Sequence, residues 1–179
     1  MRRSGARGDI GVRTADGIVD VYVAVGSNVE PLHNVRRALA LLRERFGELV
    51  VSKAYRNPAV GFDGDDFVNL VIGLRTARGV HEVRATLQEI EEACGRRRDA
   101  PKWASRRMDL DILLYGDCVA DGPDLKLPRP DLLRRAYMLR PLAEIAGPVV
   151  HPLARQTVAG LWQAFDRDAH PLTEIAIDE

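Results

Sequence analysis

The order of elements predicted along this chain indicates an α+β protein with a ferredoxin-like βαββαβ sandwich and additional C-terminal helices. Three observations predict it: short β-branched strands, two helices with regular apolar spacing, and helical segments after the last strand. With 179 residues, the chain has the length of one domain with a substantial core. We expect a single domain over residues 18–179 and a disordered extension over the polar, glycine-containing residues 1–17.

The first half of this order comes from residues 18–74. Residues 18–25 (IVDVYVAV) are β-branched and aromatic, which predicts a buried strand. Pro31 then opens a helix that ends near Gly47, because apolar residues recur every three or four positions up to Phe46. Two more strands are predicted over residues 49–55 and 67–74, joined by a loop rich in Gly, Pro, Asn and Asp. In the second of these strands Asn69 shares a face with Phe67 and Val71, which makes Asn69 a candidate ligand contact.

The second half comes from residues 80–165. Residues 80–94 have helical apolar spacing and are followed by Gly95, a typical residue after a helix end. A basic loop over 96–107 leads to a strand over 108–115, and residues 116–130 predict another loop. Residues 131–145 predict a helix interrupted near Pro141, and residues 158–165 a last short helix. We expect the helices on one side of the sheet and the working surface on its open face.

Composition restricts the classes of partner. The chain has 26 basic and 26 acidic residues, so its net charge indicates no polyanionic partner. Its two cysteines lack metal-binding spacing, and it contains no apolar run of about 18 residues. The Arg- and Gly-rich first residues lack an apolar stretch, so we do not expect them to be a secretory signal. We therefore expect a cytoplasmic protein, a monomer or weak homodimer, without a nucleic-acid or membrane partner.

An acidic pair beside a basic loop carries the chemistry. Asp109 and Asp111 point to one face of a strand, whereas Leu110, Ile112 and Leu114 point to the other. Two adjacent carboxylates repel each other unless a cation lies between them, and Mg²⁺ is the plausible one. The preceding loop has six basic residues and one acidic residue between Gly95 and Arg107, and guanidinium groups bind phosphate. Either feature alone is more often a solvated surface; together they favour a phosphoryl-transfer site, and no P-loop motif is present.

Four segments of the chain carry distinctive motifs: residues 23–28 (VAVGSN), the loop and strand from Tyr55 to Asn69, residues 106–116 (RRMDLDILLYG) and residues 135–145 (RAYMLRPLAEI). Together they resemble the 6-hydroxymethyl-7,8-dihydropterin pyrophosphokinase family of folate biosynthesis. The resemblance extends over about residues 19–165. It implies an enzyme that binds ATP with two Mg²⁺ ions, transfers the β,γ-pyrophosphoryl group of ATP to the hydroxymethyl oxygen of the pterin, and releases AMP.

The resemblance also implies roles for individual side chains. The implied catalytic residues are Arg96, Arg106, Asp109 and Asp111, of which Asp109 and Asp111 are also the implied metal ligands. The implied ATP-binding residues are Gln88, Glu91, Arg98, Trp103, Ile112, Arg129 and Arg135. The implied pterin-binding residues are Asn57, Pro58, Val60, Phe67, Asn69 and Tyr137, with aromatic rings stacking on the flat substrate.

The chain departs from the family pattern at several positions. Arg129 stands where the family usually has a histidine, Asn57 where threonine is common, and Ala104-Ser105 where Gly-Pro is usual. These changes leave open a paralogue that acts on a related pterin or binds pterin with little catalysis. A second alternative is a nucleic-acid-binding module, because ferredoxin-like sheets with basic loops and aromatic residues bind single strands. The balanced charge and the acidic pair argue against that module.

Overall fold

The structure, a computed structural model, describes residues 15–96, 99 and 105–178. Most of the expected N-terminal extension, residues 1–14, lies outside this part, so its disorder stays a prediction. The strands and helices are β1 (Val19–Ser27), α1 (Pro31–Phe46), β2 (Val50–Val51), β3 (Ala54–Asn57), β4 (Phe67–Thr76), α2 (Val80–Ala93), β5 (Asp109–Tyr115), β6 (Ala120–Asp121), β7 (Lys126–Leu127), α3 (Ala136–Ala146), α4 (Val158–Gln163) and β8 (Thr173–Ile175). None of the described helices is both long and apolar enough to cross a membrane.

The main sheet confirms the predicted ferredoxin-like fold. Its strands lie in the order β5-β1-β4-β3-β8, with β2 pairing β4 as well, and every pair is antiparallel. Two interleaved βαβ units, in each of which a helix connects two strands, produce this strand order. Within it, Gly26 at the end of β1 is paired with Asn69 of β4 on one side and Asp109 of β5 on the other. The sheet register therefore brings these two polar side chains together.

Helices cover both faces of the sheet. One apolar cluster packs α1 and α2 against side chains such as Val23 and Leu70. A second packs α3 and α4 against the opposite face, where Val71 and Leu113 lie. The expectation that the helices lie on one side is therefore wrong, because α3 buries its own apolar stripe on the face expected to be open. What stays accessible on that face is the part next to the strand ends that carry Asn69 and Asp109.

A β-bulge in β5 corrects another prediction. Tyr22 is paired with Leu114 and Val23 with Ile112, so Leu113 is an extra residue without a direct partner in β1. An extra residue shifts the alternation of side chains along the strand. Leu114 therefore joins Leu113 in the cluster beneath α3, instead of sharing a face with Leu110 and Ile112 as predicted. Asp109 and Asp111 precede the bulge and keep their common face.

Some element boundaries differ from the predicted ones. The strand predicted over 49–55 is divided into β2 and β3 because the Ser52 hydroxyl accepts the Val71 N–H at 2.9 Å in place of a backbone carbonyl. The loop predicted over 116–130 contains the short β6–β7 hairpin. The helix predicted from 131 starts at Ala136, after a 3₁₀ turn over Pro130–Leu133. Strand β8 was not predicted, since three residues are too few for a periodic pattern.

Candidate active site

The turn after β1 fixes the end of the basic loop. Asn28 is 2% exposed, and its Oδ1 accepts the Arg106 backbone N–H at 2.7 Å. The Asn28 backbone N–H donates to the Arg106 carbonyl at 3.1 Å, and its Nδ2 donates to the Asp65 carbonyl at 3.2 Å. One buried amide thus holds the loop before β4 and the loop before β5 in fixed positions. Sequence analysis assigned Asn28 no role of its own, although its place directly after a Gly-Ser turn is a usable signal.

Arginines neutralise the acidic pair. Asp109 Oδ1 accepts hydrogen bonds from Arg96 Nη1 at 2.9 Å and Arg106 Nη1 at 3.2 Å. Asp111 Oδ1 lies 3.5 Å from Arg129 Nη1. Burial and the neighbouring charge of Asp109 raise the pKa of the Asp111 carboxyl, and Arg129 opposes that rise. The acidic pair and the basic loop were predicted to lie close together, and in the structure Arg96 and Arg106 form direct ion pairs with Asp109.

Glu91 connects α2 to the acidic strand. Its Oε1 accepts the Leu110 backbone N–H at 2.7 Å and a hydrogen bond from Arg96 Nη1 at 2.5 Å. Burial raises the pKa of Glu91 to about 7, although the Leu110 N–H and the Arg96 guanidinium both act to lower it. Arg96 is thereby held between Glu91 and Asp109. Glu91 positions both the strand and the arginine.

A first cavity of about 670 Å³ lies between α2, β5 and the β6–β7 hairpin. Its walls combine apolar and charged side chains, with Leu87 and Ile112 among the former and Lys126 among the latter. The residues implied for ATP that line it are Gln88, Glu91, Ile112 and Arg129. The hairpin that sequence analysis missed supplies one wall, through Leu125 and Lys126.

A second cavity, of about 540 Å³, lies on the α3 side of the sheet. Phe67 and Tyr137 both line it, and Phe62 packs edge-on against Phe67 with ring centroids 6.2 Å apart. At its base Asn69 Nδ2 donates to Asn57 Oδ1 at 2.6 Å, and Asn57 Nδ2 donates to the Pro58 carbonyl at 3.0 Å. The cavity therefore combines aromatic walls with a fixed amide pair.

The two cavities meet at the acidic pair. Four residues line both of them: Arg96, Arg106, Asp111 and Arg129. Asp109 lines the second cavity. A flat ligand in the second cavity and a polyanion in the first would therefore approach each other across carboxylates and guanidinium groups. Such an arrangement favours transfer of a charged group between two bound molecules.

The remaining site predictions fall in different places. Val60 lines the second cavity, and so does Arg135, which had been assigned to ATP. Pro58 is exposed and is not among the lining residues of either cavity. Arg98 and Trp103 lie outside the described residues. Phe62 was missed, although an aromatic residue in a loop otherwise rich in Gly and Asp was a detectable signal.

The donor set matches a metal that arrives with a phosphate ligand. Within the described residues, no group of three or more His, Cys, Asp or Glu side chains could hold a metal ion. Two carboxylates are nevertheless what Mg²⁺ commonly takes from a protein when phosphate oxygens and water complete its octahedron. Asp109 and Asp111 therefore fit a metal ion that is bound together with a nucleotide.

Comparison with known proteins gives one family. The sequence model of 7,8-dihydro-6-hydroxymethylpterin-pyrophosphokinase matches residues 22–147. A 2-amino-4-hydroxy-6-hydroxymethyldihydropteridine pyrophosphokinase from Pseudomonas aeruginosa is 41% identical over 131 residues, which are 70% of this chain and 80% of that protein. The Aquifex aeolicus protein of the same name is 34% identical over 138 residues, covering 76% of this chain and 86% of its own length.

Solved structures agree on the fold. The Plasmodium falciparum HPPK-DHPS triple mutant with STZ-DHP superposes with a TM-score of 0.65 at 12% identity. The match covers 82% of this chain and 43% of that longer chain. At this identity the likeness shows the fold alone.

Proposed function

This chain belongs to the 7,8-dihydro-6-hydroxymethylpterin pyrophosphokinase family, and from that premise we propose how its two cavities divide the reaction. The protein is a diphosphotransferase of folate biosynthesis that transfers pyrophosphate to the hydroxymethyl group of the dihydropterin. The observation that carries the proposal is the wall shared by the two cavities, made of Arg96, Arg106, Asp111 and Arg129. ATP occupies the first cavity, the reduced pterin occupies the second, and the reacting groups meet at that wall.

The second cavity has the chemistry that a pterin requires. Phe67 and Tyr137 offer aromatic faces to a flat bicyclic ring, a contact that contributes about 1 kcal/mol beyond the burial of area. Asn69 is 8% exposed, and its Oδ1 accepts no hydrogen bond from the described residues. Because Asn57 fixes the Asn69 amide, that oxygen is available to an N–H donor on the edge of the pterin.

The first cavity has the chemistry that a nucleotide requires. Leu87 and Ile112 supply apolar surface for the base, while Gln88 lines the cavity from α2. Arg96, Arg106 and Arg129 are placed so that the triphosphate extends towards the shared wall. Arg135, on the side of the second cavity, is available to the transferred phosphates from the opposite direction.

The family uses ATP, which implies a metal cofactor. We propose two Mg²⁺ ions with Asp109 and Asp111 as their protein ligands, because carboxylates and phosphate oxygens are the donors that Mg²⁺ prefers. When bound, the ions would neutralise phosphate charge and align the phosphate with its acceptor. The arginines around them orient the β,γ-phosphates and exclude water, since a water molecule at that position would hydrolyse ATP.

In the proposed reaction the pterin hydroxymethyl oxygen attacks the β-phosphorus. A new oxygen–phosphorus bond forms at the β-phosphorus, the bond from it to the α-phosphate oxygen breaks, and AMP leaves with that oxygen. The hydroxyl proton is lost to water or phosphate. Transfer of this kind requires positioning and charge stabilisation more than a strong protein base.

Product analysis tests the proposal. The full-length protein is incubated with ATP, Mg²⁺ and 6-hydroxymethyl-7,8-dihydropterin, and AMP is separated from ADP. We expect pterin-dependent AMP, and a loss of at least about a hundredfold in rate in Asp109→Asn and Asp111→Asn, equivalent to about 2.7 kcal/mol. Asp121→Asn, an exposed aspartate outside both cavities, is the matched control. ADP as product would contradict attack at the β-phosphorus, whereas pterin binding without either nucleotide product would indicate a binding paralogue.

We also propose a cytoplasmic monomer or weak homodimer whose ligands are ATP and a reduced pterin, with no nucleic-acid or membrane partner. Cys94 and Cys118 are buried and form no disulfide bond with each other, which supports a reducing compartment. Light scattering after size-exclusion chromatography would measure the oligomeric state, and fractionation of the source cells would test the location.

A further inference from the structure

Arg129 is anchored beside the acidic pair. Its backbone N–H donates to the Leu113 carbonyl at 2.9 Å, which fixes the residue along β5 just before the 3₁₀ turn. From this position the side chain lines both cavities and faces Asp111. The backbone is thus fixed, and the side chain lies where the two substrates would meet.

The guanidinium of Arg129 is incompletely satisfied. Its Nε is buried and has no hydrogen-bond acceptor among the described residues. Its Nη1 lies 3.5 Å from Asp111 Oδ1, longer than the 2.7–2.9 Å of a strong charge-assisted hydrogen bond. A buried donor without an acceptor is energetically unfavourable. The charge of Asp111 holds the Arg129 guanidinium in place. The Nε–H of Arg129 is then available to donate a hydrogen bond to a ligand.

The other two arginines of the shared wall differ in this respect. Arg96 donates to both Glu91 and Asp109, and Arg106 donates to Asp109 at 3.2 Å. Both therefore have direct hydrogen bonds to carboxylates. Among the contacts of the described residues, Arg129 has the longest distance to a carboxylate of the three arginines, and that carboxylate is Asp111.

We propose that Arg129 is a resident counter-ion of Asp111 which makes metal binding depend on the nucleotide. This inference rests on the proposed function. A divalent cation at Asp111 would lie close to the positive guanidinium, so metal binding without a polyanion is disfavoured. When the triphosphate arrives with the metal, its oxygens accept hydrogen bonds from Arg129, and the guanidinium moves from the carboxylate to the phosphate. The metal and the nucleotide then bind with positive coupling, which is reciprocal.

The test measures Mn²⁺ binding to the full-length protein by electron paramagnetic resonance of the free ion. It is done with and without α,β-methylene-ATP, a probe that cannot transfer pyrophosphate. Without nucleotide we expect Arg129→Gln to bind Mn²⁺ at least about tenfold more tightly than the wild type, because a repulsive charge is removed. With the probe present, that advantage disappears, and the affinity for the probe itself falls by about fivefold or more, since a phosphate contact is lost.

Two further variants separate charge from geometry. Arg129→Lys keeps the positive charge and lacks Nε, so we expect weak Mn²⁺ binding without nucleotide, as in the wild type, and weakened probe binding. Arg134→Gln removes one positive charge from the same segment at an exposed position that lines neither cavity, and should change neither affinity by more than about twofold. Circular dichroism and thermal melting confirm that each variant is folded.

The inference is overturned if Arg129→Gln binds Mn²⁺ without nucleotide no more tightly than Arg134→Gln does. It is also overturned if Arg129→Lys gains Mn²⁺ affinity as Arg129→Gln does. Asp111→Asn separates this failure from failure of the proposed function. If that variant keeps wild-type Mn²⁺ affinity in the presence of the probe, the proposed metal site is itself wrong; if it loses affinity while Arg129→Gln changes nothing, only the role of Arg129 is wrong.

Discussion

Replacing Gly26 with alanine should impair the second cavity while leaving the first intact. Gly26 lies between Asn69 and Asp109 in the sheet. A methyl group at this position would lie 2.6 Å from Asn69 Oδ1 and 4.0 Å from the Phe67 ring. The first distance is well inside the ~3.5 Å at which non-bonded atoms attract each other. The Asn69 amide must therefore move by roughly 1 Å.

That movement has a definable magnitude. It lengthens the 2.6 Å hydrogen bond from Asn69 Nδ2 to Asn57 Oδ1, both of them buried groups. A typical intramolecular hydrogen bond contributes about 1 kcal/mol, so we expect the free energy of unfolding to fall by about that amount. The Asn69 oxygen proposed to accept from the pterin is displaced as well, and loss of one such bond weakens affinity by about fivefold to tenfold.

Calorimetric titration checks both halves of this prediction. The dihydropterin is titrated into protein saturated with α,β-methylene-ATP. In a separate titration, the affinity of Gly26→Ala for α,β-methylene-ATP should differ from that of the wild type by less than about twofold. Gly73→Ala is the matched control, because it adds a methyl group to the same sheet, 3.2 Å from Tyr22 Cε1 and away from both cavities. Unchanged pterin affinity in a folded Gly26→Ala protein would refute the assignment of the Asn69 amide to the pterin.

Two pH-dependent predictions concern buried titratable groups. Burial lowers the pKa of His151, whose Nδ1 accepts the Leu153 and Ala154 N–H groups at 3.2 and 3.0 Å. The wild type should therefore lose stability relative to His151→Asn as pH falls below about 6.5, because Asn keeps an acceptor that does not titrate. A difference in melting temperature between the two proteins that stays constant from about pH 8 to pH 5 would contradict this. Burial raises the pKa of Glu91 to about 7, so wild-type stability should decline relative to Glu91→Gln as pH rises from about 4.5 to 7, by at most about 3 kcal/mol. Urea unfolding at pH 5 and pH 8 measures this difference, and a constant difference would show that Glu91 does not titrate in this range.

Local pattern determined the order of elements and the kind of chemistry. The apolar stripe of α1 and the alternation of Phe67, Asn69 and Val71 in β4 follow from periodicities of a few residues, and the structure contains both elements. Asp109 and Asp111 are two positions apart on one strand, so their common face could be predicted without knowledge of any partner strand. The adjacent basic loop then identified charge neutralisation as the chemistry of the site.

Contacts between distant segments decided the rest. The β-bulge at Leu113 arises from the pairing of β5 with β1, and it reverses the side on which Leu114 is buried. Asn28 and Arg106 are 78 residues apart, yet their hydrogen bonds fix the end of the basic loop. The second sheet face is likewise covered only because the apolar side of α3 packs against apolar side chains of β4 and β5, which are distant from it in sequence.

The acidic pair and its basic neighbours were therefore present in the sequence, whereas the two cavities that share them were not. Side-chain periodicity reports which face of one element is apolar, but a cavity wall is formed only when the register of several strands is set. That register depends on burial summed over all pairings at once. Arg129 illustrates this, because only the folded chain brings its guanidinium to Asp111 while its Nε finds no acceptor among the described residues.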